Sequence, residues 1–518
     1  MSTPLWITAT PPATHGELHI GHLAGPYVAA DVLARFLRAD GQAVLLTTGT
    51  ADHADSVEVR ALRGGRKPEE VAEGFRTAIT ADWLRSGVEF DRIVQPRGDR
   101  GYTRWIQDLF GRLHADGVIA PRTRLLPYCE PCGRWLHGAF VTGGCPHCTQ
   151  PGRGGMCREC ARPNDSGDLI DPRCTLCGGK AKPQRCRRLY VPLEPFRETL
   201  AEYWAAAALP PRLAALCESL VEDGLPDVAV GHPGDWGIPV PVEGFADQRI
   251  DGCFETAAMH LFGYGYDEVP LPERAVHFCG FGHAFCHAVL LPALLLAQGV
   301  KLPQDFCVNE TYRIDERDTW ALDLLTEFGS DTLRRHVLEA RPTGRSTEFH
   351  REQLARTREI LDTTWNAWLN RLFAAVREEC GGVVPEALPG GTGWDIQRRR
   401  LERAVDELRE AYGLEAFAPR RAVALLDEIV RSTADFGHVN THERRRPSGA
   451  ERHLPPMVAQ LGVAAALTAW ARPVMPEGAD RLAAALGIEP GRPVSLDALA
   501  APGPGTRLSP PSGSVFGF

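Results

Sequence analysis

Leu5-Trp6-Ile7-Thr8, then Pro11-Pro12 and Gly16, then His19-Ile20-Gly21-His22, is the stretch that decides the fold. The apolar run predicts a short strand, and the prolines and Gly16 mark a turn. The periodic apolar residues from Leu23 to Leu37 predict a helix. A strand, a glycine-containing turn and a helix N-terminus make a natural anion site, because backbone N–H groups point outward there and the helix dipole favours negative charge. His19 and His22 lie one turn apart, where both imidazoles can hydrogen-bond phosphate oxygens. Gly21 lets a flat base approach the backbone closely. A four-residue string alone also fits a polar helix start. After a strand and a turn, and within the first 25 residues, it predicts a nucleotide site that includes Thr8, Gly16 and Gly21.

The pattern continues outward as an α/β chain. Strand-like Val44-Leu45-Leu46-Thr47 alternates with helical runs at 68–86 and 102–116, the βαβ rhythm of a parallel sheet. Residues 1–116 are read as the first half of a Rossmann-like catalytic domain. Residues 117–225 form an insertion, broken by Gly, Pro and Cys, and 226–346 form the second half, with Val276-His277-Phe278 as a strand. An all-helical bundle follows over 347–495, and the Pro/Gly/Ser-rich 496–518 reads as a flexible tail. The chain has 518 residues and a net charge of -9, which argues against a generic polyanion binder. No apolar run approaches the roughly 20 residues needed to span a bilayer, and the N-terminus lacks a signal peptide's features, so a cytoplasmic protein without a membrane partner is expected.

Eight of the fifteen cysteines form four Cys-x-x-Cys pairs: Cys129/Cys132, Cys145/Cys148, Cys157/Cys160 and Cys174/Cys177. Each turn presents two sulfurs from one tight loop, so two turns complete a tetrahedron around Zn²⁺ and four make two structural sites. Spacing alone allows sequential or nested pairing. His137 and His147 lie nearby but are surplus to eight thiolates.

The residues at this point resemble methionyl-tRNA synthetase, of the class I aminoacyl-tRNA synthetase superfamily, over nearly the whole chain. Four blocks carry the resemblance in order: His19 to His22; Gly49-Thr50-Ala51-Asp52-His53; the cysteine pairs; and Leu225-Pro226-Asp227 with Pro233-Gly234-Asp235-Trp236-Gly237-Ile238-Pro239-Val240-Pro241. The resemblance implies a Rossmann-like domain split by a zinc-bearing insertion, then a helical anticodon bundle. It implies nested pairing, with Cys145, Cys148, Cys157 and Cys160 on one ion and Cys129, Cys132, Cys174 and Cys177 on the other. It further implies ATP and Mg²⁺, with His19 and His22 on the triphosphate, Gly21 under adenine, Gly280 near the ribose, and Gly282 and His283 beside it.

The departures are as informative. The Lys-Met-Ser-Lys-Ser motif is absent; the segment between Phe306 and Phe328 has no lysine, leaving Arg313 or Arg317 as candidate cations or as members of a solvated loop. The walls of the amino-acid pocket become Pro11, Ala13 and Cys253, and the amino-group aspartate falls on Ala51. Asp52, with Asp55 and His53 close by, is the candidate substitute, or else a structural carboxylate. His287 matches a pocket histidine. A ribose-contacting acid is replaced by Gly282. In the bundle, Asn370 fits the family's asparagine, but an arginine becomes Ala374 and a Pro-Trp becomes His438-Val439-Asn440.

These losses lead to the expectation of a repurposed ligase. It would activate an amino acid with ATP and pass the acyl group to a small-molecule or carrier acceptor in specialised metabolism, for instance an N-hydroxylated amine before N–N bond formation, with a partner enzyme for any rearrangement. In this reading tRNA is not read at its anticodon. The alternatives are a divergent methionyl-tRNA synthetase that charges tRNA, and a non-catalytic nucleotide-binding or regulatory paralogue.

Overall fold

The computed structural model describes residues 3–314, 319–444 and 453–517. Five strands form the central sheet: β1 (Leu5–Ala9), β2 (Val44–Gly49), β3 (Arg92–Val94), β4 (Ala275–Gly280) and β5 (Gln304–Asn309). Their order is β5-β4-β1-β2-β3 and every pairing is parallel. Trp6 lies opposite both Leu45 and Ala275, which sets β1 at the centre. Covered on both faces, it is apolar except for Thr8, whose buried hydroxyl is hydrogen-bonded to His260. Strand order reverses between β2 and β4, so a crevice opens at the carboxyl end of β1, where such folds hold nucleotides.

The helix expected from Leu23 to Leu37 is broken at its start. Ile20–His22 is one helical turn, Leu23–Tyr27 a wider π turn, and Val28–Ala39 a regular helix. Gly25 takes ψ -114° and Pro26 lacks an N–H, so the carbonyl ladder opens. The buried guanidinium of Arg341 donates to the freed carbonyls of Ala24, at 3.2 Å, and Gly25. The guanidinium thus pairs two carbonyls that the turn of the helix would otherwise leave open.

Between β3 and β4 the strands Ala120–Cys129 and Lys182–Pro192 form a long antiparallel pair, in register from Tyr128/Lys182 to Ala120/Tyr190. The cysteine turns sit at its tip. After Thr347 the chain is helical: Arg351–Ile360, Ala367–Cys380, Trp394–Tyr412, Pro419–Arg444, Leu454–Trp470 and Pro476–Leu486. One face of the sheet shares a core with these helices, where Tyr27, Val28 and Leu33 join Trp365, Trp368 and Trp470. The other face packs Trp6, Tyr102 and Phe110 against Phe254, Phe285 and Leu291.

Arg334 ties the parts together and is fully buried. Its guanidinium donates to Asp31 Oδ2 (2.6 Å), to the carbonyls of Ser86 and Gly87 (3.1 and 3.0 Å), and to those of Pro473 and Val474 (3.0 and 2.8 Å). Burial alone would raise the Asp31 carboxyl, but Arg334 and Arg35 hold it below its ordinary value.

Residues 502–517, expected as a flexible tail, are docked instead. Val515 and Phe516 are buried, and the Asn366 side chain accepts from both their N–H groups at 3.0 Å while donating to the Phe516 carbonyl at 2.9 Å. The Phe516 ring meets Trp365 edge-on. A Pro/Gly-rich composition signals the lack of helix or strand, not the lack of an anchor. No helix among the described residues is long and apolar enough to cross a membrane.

Candidate active site

A cavity of about 960 Å³ opens beyond the carboxyl ends of β1 and β4. The catalytic halves contribute Thr10, Pro11, Ala13, His15 and His283; the cysteine-rich insertion contributes Arg153 and Arg158.

His19 caps the first helical turn. Its ring stacks on His22 with centroids 3.7 Å apart, and its backbone N–H donates to His22 Nδ1 at 3.1 Å. Burial, helped by Arg158, pushes His19 down to about 4; burial and His19 push His22 well below 6.5. Both rings are therefore neutral near pH 7 and offer hydrogen bonds, not charge. His19 Nδ1 is buried without a partner, as a group reserved for a ligand oxygen would be. A Cβ at Gly21 would lie 3.0 Å from the His19 ring, so glycine makes room for that ring as well as for a base. Gly16 has open space around it, and a Cβ on Gly280 would meet only Asn309 Nδ2, at 3.7 Å.

Positive charge has to come from elsewhere, and the insertion supplies it. Burial is the main cause that lowers His15, His19, His22 and His283, and Arg158, inside the Cys157-x-x-Cys160 turn, adds to it at all four; Arg60 and Arg153 also act on His15. The backbone of Arg158 fits against Gly282: a Cβ there would be 3.0 Å from Arg158 Cα. The space where the resemblance places an acid is thus filled by the knuckle. Arg212 holds the same turn, donating to the Glu159 carbonyl at 2.5 Å and stacking over Phe281. Sequence reasoning missed Arg153 and Arg158. The only local signal was an arginine inside a metal-binding turn, and nothing local says that the turn folds back over the nucleotide crevice.

Arg313 is exposed on a short strand paired with Thr347–Glu348 and is not among the cavity-lining residues. Arg317 lies outside the described residues. The segment that replaces the lysine motif still returns to the crevice: Ile20 N–H donates to the Thr319 carbonyl and Ala321 N–H to that of Leu18, both at 2.9 Å.

At the amino-acid end, Pro11, Ala13 and Cys253 do line the cavity. Cys253 is not a free pocket thiol, because it forms a disulfide with Cys286, which lines the cavity beside it. Asp52 is corrected more strongly. It is fully buried, 3.5 Å from an Arg76 guanidinium nitrogen and 3.3 Å from the Arg97 N–H, and does not line the cavity; Asp55 does. His53 is turned to Glu255, with Nδ1 and Oε1 2.8 Å apart, and Tyr102 also donates to that oxygen. Thr8 is fully buried, shares a 2.8 Å hydrogen bond with His260 and does not line the cavity. His287 is fully buried, bonded to Thr10 (2.8 Å) and 3.1 Å from His277 Nδ1. Burial depresses all three rings, His260 to about 3. They form a neutral polar layer behind the Thr10 end of the cavity.

The eight cysteines fall into two groups, Cys129, Cys132, Cys174 and Cys177, and Cys145, Cys148, Cys157 and Cys160. Sulfur separations are 3.5 Å for Cys129/Cys177 and 3.8, 3.8 and 3.7 Å for Cys132/Cys174, Cys145/Cys160 and Cys148/Cys157. A Zn–S bond of about 2.3 Å gives a tetrahedral edge of about 3.8 Å, so both groups fit a zinc ion.

Comparison with known proteins agrees with this geometry. The family described as tRNA synthetases class I (M) matches residues 5–251. Methionine–tRNA ligase of Thermomicrobium roseum is 29% identical over 451 residues, 81% of this chain and 76% of the relative. That of Pyrobaculum calidifontis is 27% identical over 524 residues, covering 95% and 90%. The chain is methionyl-tRNA synthetase-like. Mycobacterium tuberculosis methionyl-tRNA synthetase in complex with methionyl-adenylate superposes with a TM-score of 0.81 at 20% identity over all of both chains, so the fold is the class I synthetase fold. The synthetase-like chain is a ligase of the aminoacyl-tRNA synthetase type.

The same relatives overturn the expectation of a non-tRNA acceptor in specialised metabolism. They are methionine–tRNA ligases, and the alignment runs through the helical region as well as the catalytic halves. The partner enzyme inferred for a later rearrangement goes with that expectation.

Proposed function

We propose that the chain activates an amino acid with ATP to an aminoacyl-adenylate and transfers the acyl group to tRNA, with methionine, the amino acid named for its relatives, as the first candidate. What supports this reading is the His19–His22 helix start beyond the carboxyl end of β1, with a buried, unpartnered His19 nitrogen, next to His15, Arg158 and His283 of the cavity lining. His19 and His22 hydrogen-bond the triphosphate, Gly21 underlies the adenine and Gly280 the ribose. Arg158, with Arg153, neutralises charge that builds on the phosphates, in place of the missing lysines. Mg²⁺ accompanies ATP as a phosphate counterion. Zinc in the two cysteine groups is structural, holding the turn that carries Arg158. A cytoplasmic location belongs to this reading.

One observation favours another amino acid in the same chemistry. The Cys253–Cys286 disulfide, Thr10, Pro11 and Ala13 line the cavity where the family resemblance places aromatic and aliphatic walls, so thioether–aromatic contacts are lost. Amino-acid-dependent ATP–pyrophosphate exchange with each of the twenty amino acids, followed by tRNA charging with whichever responds, tests both. Exchange with methionine supports the first reading and exchange with a different amino acid the second; no exchange with any amino acid overturns adenylation itself.

A further inference from the structure

A third group of metal-type donors lies outside the cysteines. Asp55, His137 and His232 bring one ligand atom each within 4.8 Å of one another. Asp55 opens the helix Asp55–Arg63, His137 follows the strand Arg134–Trp135, and His232 lies in the strand Gly231–Pro233. Three distant segments thus converge. Gly138 permits it: its φ is +48°, and a Cβ there would overlap Asp55 Oδ2. The two rings stack with centroids 3.7 Å apart. His137 is 6% and His232 5% exposed, and the Nδ1 of each has no hydrogen-bond partner.

The spacing is wrong for a closed hydrogen-bonded cluster. Charge-assisted N–H to carboxylate bonds run about 2.7–2.9 Å, yet His137 Nδ1 is 3.4 Å from Asp55 Oδ2 and His232 Nε2 is 3.7 Å from Asp55 Oδ1. Ligands at about 2.0–2.2 Å around a tetrahedral ion stand roughly 3.4 Å apart. Asp251 adds negative charge nearby, its own carboxylate spent on capping Gly252–Tyr264 through the Cys253 N–H. Arg188, the nearest guanidinium acting on His232, is already committed to Asp165 at 2.7 and 2.8 Å.

We propose that Asp55, His137 and His232 bind a third divalent transition-metal ion, of the zinc class, in addition to the two cysteine groups. The donor set of two imidazoles and a carboxylate suits such an ion. Asp55, Gly138 and Asp251 all line the 960 Å³ cavity, so the ion's remaining position faces the substrate space. That separates it from the four-sulfur sites, which have no open position. The open position takes water or a nitrogen or oxygen donor of the bound substrate. The site does not depend on adenylation, and its test reads metal, not turnover.

Purified full-length protein, loaded with Zn²⁺ and freed of excess by gel filtration, is assayed for zinc by plasma mass spectrometry alongside His137→Ala, His232→Ala and Asp55→Asn. The expected result is one zinc more than the two cysteine groups account for, lost in each variant. Zinc for the cysteine groups alone in wild type, or an unchanged content in all three variants, overturns the proposal. Should the variants fail to fold, Co²⁺ titration of wild type decides. A last equivalent that adds ligand-field absorption without thiolate charge transfer supports the site, and saturation with thiolate bands only overturns it.

Discussion

Arg158 Cα lies 3.0 Å from where a Cβ on Gly282 would stand, tighter than nine in ten real Cβ contacts. A metal-binding turn from the insertion is therefore seated directly on the second half of the catalytic sheet, and the residue it covers is the one where an acidic side chain was expected. Restoring that acid should damage the site. Gly282→Asp is expected to lift the turn at an overpacking cost of about 1–3 kcal/mol and to weaken ATP binding about tenfold or more, read by calorimetry. An unchanged ATP Kd would separate the turn from the nucleotide site.

Arg158→Ala tests the charge itself. With His19 and His22 neutral, the guanidinium is the nearest fixed cation acting on both. Removing one preorganised stabiliser typically costs about 2.7–4 kcal/mol in the transition state, so pyrophosphate exchange should fall roughly 10²- to 10³-fold with zinc content unchanged. Arg158→Lys keeps a point charge and should retain a measurable fraction. Equal rates in wild type and Arg158→Ala would remove the residue from the mechanism.

Acid should destabilise the chain through its buried histidines. Burial is the main cause that lowers His19, His283 and His336 to about 4 and His260 to about 3, and it takes His22, His277 and His287 well below 6.5. Between each folded value and 6.5 the unfolded chain holds a proton that the folded chain lacks, so stability is full above pH 6.5 and drops as pH falls toward 4. Burial also raises Asp331 to about 7 and Asp82 and Asp251 to about 6, which opposes the trend over part of that window. His15 and His232 are lowered too, and Asp52 and Asp168 raised, so the lowered histidines outnumber the raised carboxylates. The melting temperature should fall steadily from pH 7 to pH 5 in differential scanning; a rise would show that the carboxylates dominate.

Asn366→Ala and Phe516→Ala address the docked C-terminal segment. The first orphans two buried N–H groups, at about 1–3 kcal/mol each. The second empties a fully buried aromatic site, at about 3–5 kcal/mol. Both should lower the urea midpoint in one cooperative transition. A midpoint like that of wild type would mean the segment is bound outside the folding unit.

What the sequence displayed follows the range of the interactions. The strand at Leu5–Ala9, the helix start at His19 and the Cys-x-x-Cys turns are written within a few residues each, and local spacing is enough to read them. The kink at Gly25-Pro26 was half written, since Pro26 forbids a regular ladder, but its partner Arg341 lies over three hundred residues away. The Cys253–Cys286 disulfide, the Asp55–His137–His232 group and the seat of Arg158 on Gly282 each join segments whose meeting depends on the whole insertion. Composition misled at 502–517, where Asn366 supplies the hydrogen bonds that the segment cannot make for itself. Asp52 misled for the opposite reason: it neighbours the cavity in sequence but turns toward Arg76 and Arg97.

Arg334 spreads its five donors over Asp31, the turn at Ser86-Gly87 and the carbonyls of Pro473 and Val474. Asp31 belongs to the helix that the His19–His22 turn begins, so the C-terminal helices are bolted to the rear of that helix. They are not a detachable module. Cutting the chain ahead of them, or grafting a bundle from another protein, would strand a buried carboxylate and open the packed rear of that helix. Transplants between synthetase-like scaffolds would therefore have to carry both sides of this joint together.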